Sequence, residues 1–147
     1  MALRGGDKLA ARLAEIAKSA ANAKTVKIGF LAGSSYPDGT PVPLIAAINE
    51  FGAPSRGQPP RPFMRNMIAA KSPEWPDAIA NLLKANDYDA DKTLAQVGEA
   101  VAGQLRESIT SLVDPPLAPS TIRAKGHGKP LIDTGHLLAS VDYEVTK

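Results

Sequence analysis

The chain has 147 residues, with 17 Lys and Arg against 15 Asp and Glu and a hydrophobic content of 44%. This size predicts one globular domain over residues 1–147, because a chain of this length buries roughly 68–70% of its unfolded surface without cross-links. The absence of Cys excludes thiol chemistry and Cys-based metal sites, and two histidines are too few for a three-His zinc site. No apolar run approaches the roughly 18 residues of a membrane-spanning helix, so we expect no membrane partner.

The first predicted elements are a helix and a strand. Apolar residues three and four positions apart predict an amphipathic helix over residues 7–24, with Asp7 as its N-terminal cap. These apolar residues are Leu9, Leu13, Ile16 and Ala20. From residue 25 the period changes to two, which predicts a half-buried strand over residues 25–31.

Four more helices are predicted before the last third of the chain. Two cover residues 43–51 and 62–70, each beginning at a proline, and Gly52 supplies the left-handed residue that ends the first. A third begins behind Ser72. The longest follows Asp91 and ends before Pro115, because a residue that precedes proline avoids helical geometry.

The last third is predicted to be mostly irregular. A short helix holding Leu137 and Leu138 is expected to be capped by Asp133, and a second strand covers residues 140–146. The predicted fold class is α+β, with several helices packed on a small, mostly antiparallel sheet that contains both strands. A third segment or a neighbouring subunit is expected to complete this sheet. Residues 53–63 and 114–130 are predicted to be long proline-rich and glycine-rich loops that are mobile in the free subunit.

Residues 131–135 carry the Asp-Thr-Gly signature of aspartic proteases. Those enzymes need two carboxylates that share a proton. A half-enzyme can dimerise, but after its motif it still needs a flap and a second apolar loop, and only 12 residues follow Gly135. A hydrolase would need a nucleophile beside Asp133 and His136; Ser140 lies one helical turn further on, but no oxyanion loop accompanies it. We therefore expect no enzyme, no catalytic residue, no cofactor and no metal site.

Charge is segregated along the chain. Residues 54–73 hold four cations and no acid, whereas residues 74–91 hold five acids and one Lys. Segregated charge suits docking of like subunits or of a protein partner, although two solvated faces would give the same pattern. A glycine-rich loop also holds Arg123, Lys125 and Lys129, in a spacing that fits no phosphate-binding motif. It can be a mobile surface loop or a weak phosphate contact.

Four blocks in order resemble one known family. They are the strand at 26–30, Asn-Glu-Phe-Gly ending at Gly52, Pro-Pro-Arg-Pro-Phe-Met-Arg at 59–65, and a C-terminal run over 116–123 and 129–141. In combination they resemble the tail-completion or neck proteins of long-tailed bacteriophages, also called minor tail or phage morphogenesis proteins.

The resemblance implies a virion structural protein that completes the tail or joins it to the head by oligomeric assembly. It implies partners among other neck and tail proteins, a ring-forming homo-oligomer that is monomeric when free, and a location in the host cytoplasm during assembly and then in the virion neck or tail. The alternative is a DNA-contacting accessory protein of the head-tail connector.

The resemblance also suggests roles for individual residues. The expected assembly interface comprises Arg56, Arg61, Phe63, Arg65, Arg123, Lys125 and Lys129. The expected structural motif comprises Asn49, Glu50, Phe51, Gly52, Pro60, Pro62, Asp133, Thr134 and Gly135.

Overall fold

The computed structural model describes residues 5–21 and 24–146 of the chain. Within these residues the helices are α1 (Gly6–Ala21), α2 (Val42–Phe51), α3 (Phe63–Lys71), α4 (Trp75–Ala85), α5 (Ala90–Ser111), α6 (Pro119–Lys125) and α7 (His136–Ala139). The strands are β1 (Thr25–Phe30) and β2 (Val141–Thr146). The predicted α+β fold class is confirmed. Residues 22 and 23, near the predicted end of the first helix, and the side chain of Ala20 lie outside the described part.

The two strands form one antiparallel pair that joins the beginning of the domain to its end. Val26 lies opposite Val145, Ile28 opposite Tyr143, and Phe30 opposite Val141. Opposed residues share a sheet face, so these pairs make one side of the sheet apolar. Within the described residues the sheet has only these two strands, and helix α5 packs against both of them. A helix thus covers the apolar face without the expected third strand.

Helix α5 is the centre of the core. The side chain of Asp89 accepts a hydrogen bond from the backbone N–H of Lys92, so the cap is Asp89 and the helix begins earlier than predicted. Its buried residues recur every three or four positions, as the apolar pattern predicts. Among the described helices, none combines the length and apolar content needed to cross a membrane.

Three local predictions are wrong. Residues 114–130, predicted to be irregular, contain α6, which begins with Pro119 and ends at Gly126, where φ is 79°. Asp133 does not cap α7, because the cap position is Gly135, two residues further along, and no side chain among the described residues caps this helix. Asp7 is not a cap either, because α1 begins at Gly6 and places Asp7 in its first turn.

Two glycines of α5 give a prediction about packing on the sheet. A Cβ atom on Gly98 would lie 2.3 Å from the Tyr143 ring, whereas no described atom lies within 4 Å of one on Gly103. Gly98→Ala should lower the free energy of unfolding by about 1–3 kcal/mol through overpacking. Gly103→Ala, the matched control, should raise it by about 0.5–1 kcal/mol through helix propensity alone. Urea denaturation measures both changes, and a stabilising Gly98→Ala would contradict the close approach.

Candidate assembly surface

The two recognisable motif blocks meet where α2 ends and α3 begins. Gly52 has a φ of 78°, and a Cβ atom there would lie 2.8 Å from both Gln58 O and Pro60 N. No side chain fits at this position, so the chain after α2 turns back closely on itself. The φ of Gly52 is positive, but its ψ of 176° differs from the left-handed helical conformation predicted for this residue. Glycine is required here because the backbone of residues 58–60 approaches it closely.

Glu50 joins the two blocks. Its buried carboxylate accepts hydrogen bonds from the backbone N–H groups of Met64 at 2.9 Å and Arg65 at 3.1 Å, in the first turn of α3. Pro62 occupies the cap position of α3 and has no side chain that can accept a hydrogen bond. An acid on a neighbouring helix therefore does the work of a cap residue, at the helix end where negative charge is favourable.

Arg65 completes this arrangement from the solvent side. Its Nε donates to Glu50 Oε1 at 2.8 Å, and its Nη2 donates to the Glu50 carbonyl oxygen at 3.0 Å. Its guanidinium also lies over the Phe51 ring, 5.0 Å from the centroid. We call the Glu50 carboxylate, the first turn of α3 and the Arg65 side chain the clasp.

Asn49 holds the proline-rich segment that connects α2 to α3. Its carbonyl oxygen accepts from the Arg61 N–H at 2.7 Å, and its Oδ1 accepts from Gln58 Nε2 at 3.1 Å. A further backbone bridge joins Ala53 to Gln58. Each residue of the Asn-Glu-Phe-Gly block thus contacts the segment of residues 58–65.

Two residues expected at the assembly interface lie inside the subunit. Phe63 is 1% exposed and meets Phe30 edge to face, with ring centroids 6.0 Å apart. Arg61 is 6% exposed, and its Nε donates to the Pro115 carbonyl oxygen at 3.3 Å. Both side chains thus lie mainly inside the subunit, and neither forms part of its outer surface as the exposed cations do. Apolar packing holds Phe63 inward, and the segment that carries it takes Arg61 inward too.

The remaining predicted cations lie nearer the surface. Arg56, Arg123 and Lys129 are exposed, and none of them pairs with an acid among the described residues. Lys125 is half-buried, and its Nζ donates to the Pro130 carbonyl oxygen at 3.3 Å. The structure thus divides the expected interface set into two buried residues, one clasp residue, one cation tied to its own loop and three exposed cations.

The Asp-Thr-Gly block lies at a cavity of about 330 Å³. Tyr36, Asp38, Lys125 and Asp133 line it. Burial, followed by the charges of Asp133 and Asp38, raises the pKa of Tyr36, whereas a hydrogen bond from the Thr40 N–H lowers the pKa of Asp38. In an aspartic protease the two carboxylates share one proton. The hydrogen-bond partner of the Asp38 carboxylate is instead the backbone N–H of Thr40, at 2.9 Å.

The other catalytic candidates are engaged in local structure. The Nε2 atom of His136 lies 2.9 Å from the Ser35 carbonyl oxygen, and the His136 ring stacks on Tyr36. The hydroxyl of Ser140 donates to the His136 carbonyl oxygen at 2.7 Å. Within residues 5–21 and 24–146, no three His, Asp or Glu side chains are grouped to hold a metal ion.

Helix α1 carries an apolar surface that the sequence pattern left unassigned. Leu9 is 62% exposed and Leu13 is 57% exposed. Polar contacts hold the helix to the turn before α5: Arg12 pairs with Asp87, and Ser19 Oγ donates to the Tyr88 carbonyl oxygen at 2.9 Å. Periodicity predicts that Leu9 and Leu13 share a face, but it cannot say whether this chain covers that face.

A second apolar surface lies beside the clasp. A groove of about 320 Å³ runs between β1, α2 and α3, and its lining includes Phe30, Ala47, Phe51, Met64 and Ile68. Phe51 is 65% exposed at its edge. We call this the apolar groove. The clasp orients it, because Glu50 and Arg65 fix α3 against α2 on one of its sides.

Comparison with protein-family models, with curated proteins and with solved structures finds no match.

We expect substitution of the two charged residues of the clasp to lower the free energy of unfolding by different amounts. Glu50→Ala removes the acceptor of two backbone N–H groups and should lower the free energy of unfolding by about 2–4 kcal/mol. Arg65→Ala removes an ion pair that is largely exposed on the Arg side and should cost about 1 kcal/mol or less. Urea denaturation compares them. Equal losses would show that the ion pair, rather than the helix cap, holds the clasp.

Proposed function

We propose that the protein is a bacteriophage virion structural protein that completes the tail or joins it to the head, and that it acts by oligomeric assembly. The resemblance of the motif blocks to neck and tail-completion proteins supports this function. The observation that carries the proposal is the pair of distinct apolar surfaces, on α1 and at the apolar groove, that no described part of the chain covers.

Exposure of these side chains to water is unfavourable by about 25 cal/mol for each Å² of apolar surface. Contiguous exposed apolar surface in a water-soluble chain commonly marks a contact with another protein. Helix α1 is suited to such a contact, because polar contacts attach it to the domain and leave Leu9 and Leu13 exposed to solvent.

The two surfaces differ, and this difference determines the kind of assembly. Leu9, Leu13 and Ile16 follow the i, i+4, i+7 pattern with which an amphipathic helix enters an apolar groove. If α1 of one copy occupies the apolar groove of the next, the contact is heterologous. Heterologous contacts generate closed rings when the rotation between copies closes. A ring of identical subunits is the homo-oligomer that the resemblance to neck and tail-completion proteins implies.

The surface of α1 provides a direct test. Leu13→Lys places a charge in the proposed apolar contact and should reduce the yield of infectious particles roughly tenfold or more, because a charge buried without a partner disfavours the contact. Ala11→Lys, on the opposite face of α1, is the matched control and should leave the yield unchanged. Both variants should keep the parent unfolding midpoint, because both positions are exposed. Complementation of a strain that lacks the gene measures the yield.

Deletion of the gene tests the function itself. The expected product is separate filled heads and tails, or abnormal tails, seen by electron microscopy. Normal infectious particles would contradict the proposal. DNA binding with a steep salt dependence that Lys125→Ala reduces, together with normal head-tail joining, would instead favour the DNA-contacting alternative.

A further inference from the structure

Arg61 is the only buried cation among the described residues. Its backbone N–H donates to Asn49 and its Nε to Pro115, but its two terminal nitrogens donate to no described residue. No carboxylate in the described part of the chain lies within ion-pair distance of it. A buried charge without a counter-charge is unfavourable, and Arg stays protonated at neutral pH.

Arg61 lines a cavity of about 540 Å³. Its other walls include Gln58, Pro59, Pro116, Leu117 and Thr121. Among the described side chains, no fully buried nitrogen or oxygen lacks a hydrogen-bond partner. The terminal nitrogens of Arg61 are therefore not fully buried, and the cavity that Arg61 lines is the space available to them. A group that enters this cavity can accept their hydrogen bonds.

Comparison with Arg65 shows that Arg61 has no carboxylate partner among the described residues. Arg65 is more than half exposed, yet it has the Glu50 carboxylate at 2.8 Å. Arg61 is buried and has none. Two parallel hydrogen bonds from a guanidinium fit a carboxylate, and such a pair is strongest away from water. Arg61 is the one cation among the lining residues of this cavity, so the cavity is poorly suited to a DNA backbone, which proteins neutralise with many cations.

We propose that the Arg61 cavity is a binding site for a carboxylate, and that the carboxylate is an acidic side chain of a second copy of this chain. The identity of the donor rests on the assembly proposed above. Within one copy, Asp87 and Asp91 pair with Arg12 and Lys24, and Asp89 caps α5. Glu74 and Asp77, at the start of α4, are exposed and have no partner among the described residues. They are the acids that the 74–91 segment has available for a neighbour.

The chemistry of the site can be measured with acetate as the probe. The side-chain Nε–H signals of Arg61 and Arg65 are followed by NMR while acetate replaces chloride at constant ionic strength. The signal of Arg61 should shift and saturate, whereas that of Arg65, already paired with Glu50, should not. A linear shift, or equal shifts at both residues, would overturn the site. Saturation by inorganic phosphate at lower concentration than by acetate would overturn carboxylate as the ligand class.

A thermal measurement provides an independent check. Acetate should raise the unfolding midpoint of the parent protein and leave that of Arg61→Met unchanged. Met replaces the buried cation with an apolar side chain of similar length, so this variant is expected to fold. An equal rise in both proteins would overturn the site.

The donor is tested separately by light scattering at low salt, at protein concentrations high enough to drive the free subunit into self-association. Arg61→Met and the double variant Glu74→Gln/Asp77→Asn should each weaken self-association at least tenfold, whereas Asp142→Asn/Glu144→Gln, which neutralises two exposed acids on β2, should not. Association equal to that of the parent in either test variant, or a parent that stays monomeric, would overturn the second copy as donor. Saturable acetate binding in a protein whose gene deletion leaves particles normal would support the site and contradict the virion function.

Discussion

The Glu50 carboxylate accepts two hydrogen bonds from the first turn of α3, and these bonds hold the junction between α2 and α3 together. It satisfies two backbone N–H groups that a proline at the cap position leaves without a partner. It thereby fixes α3 against α2, sets the Phe63 side chain into the core beside Phe30, and leaves Phe51 at the edge of the apolar groove. Buried contacts within the subunit thus shape its exposed apolar groove.

The sequence predicts the elements whose signal is local. The period-two alternation at β1 and β2 and the apolar spacing in α5 locate these elements closely, because each pattern reflects burial of one face. The sequence does not predict α6 or the cap of α7. Helix α6 is short and has no buried residues, so it lacks an apolar stripe to announce it. The cap position of α7 is Gly135, where φ is 80°, so the helix begins too late for Asp133 to be its cap.

The candidate site shows the same division. The motif residues from Asn49 to Gly52 form the last turn of α2 and its cap, and the end of this helix before Gly52 is a local feature of the sequence. The inward positions of Arg61 and Phe63 depend on Pro115 and Phe30, which are distant in sequence. The structure also shows that the acidic segment seen in the sequence is not simply a free charged surface. Several acids of the 74–91 segment are used within the subunit, to hold α1 and Lys24 and to cap α5.

In the proposed assembly, α1 of one copy enters the apolar groove of the next. The chain has no Cys, so a pair of introduced thiols reports this contact without interference. Leu13→Cys combined with Ile68→Cys, oxidised in assembled particles, should give a ladder of covalent multimers that ends at the ring size. Ala11→Cys with Ile68→Cys should give monomers. Monomers from the Leu13 pair, or equal ladders from both pairs, would contradict the account.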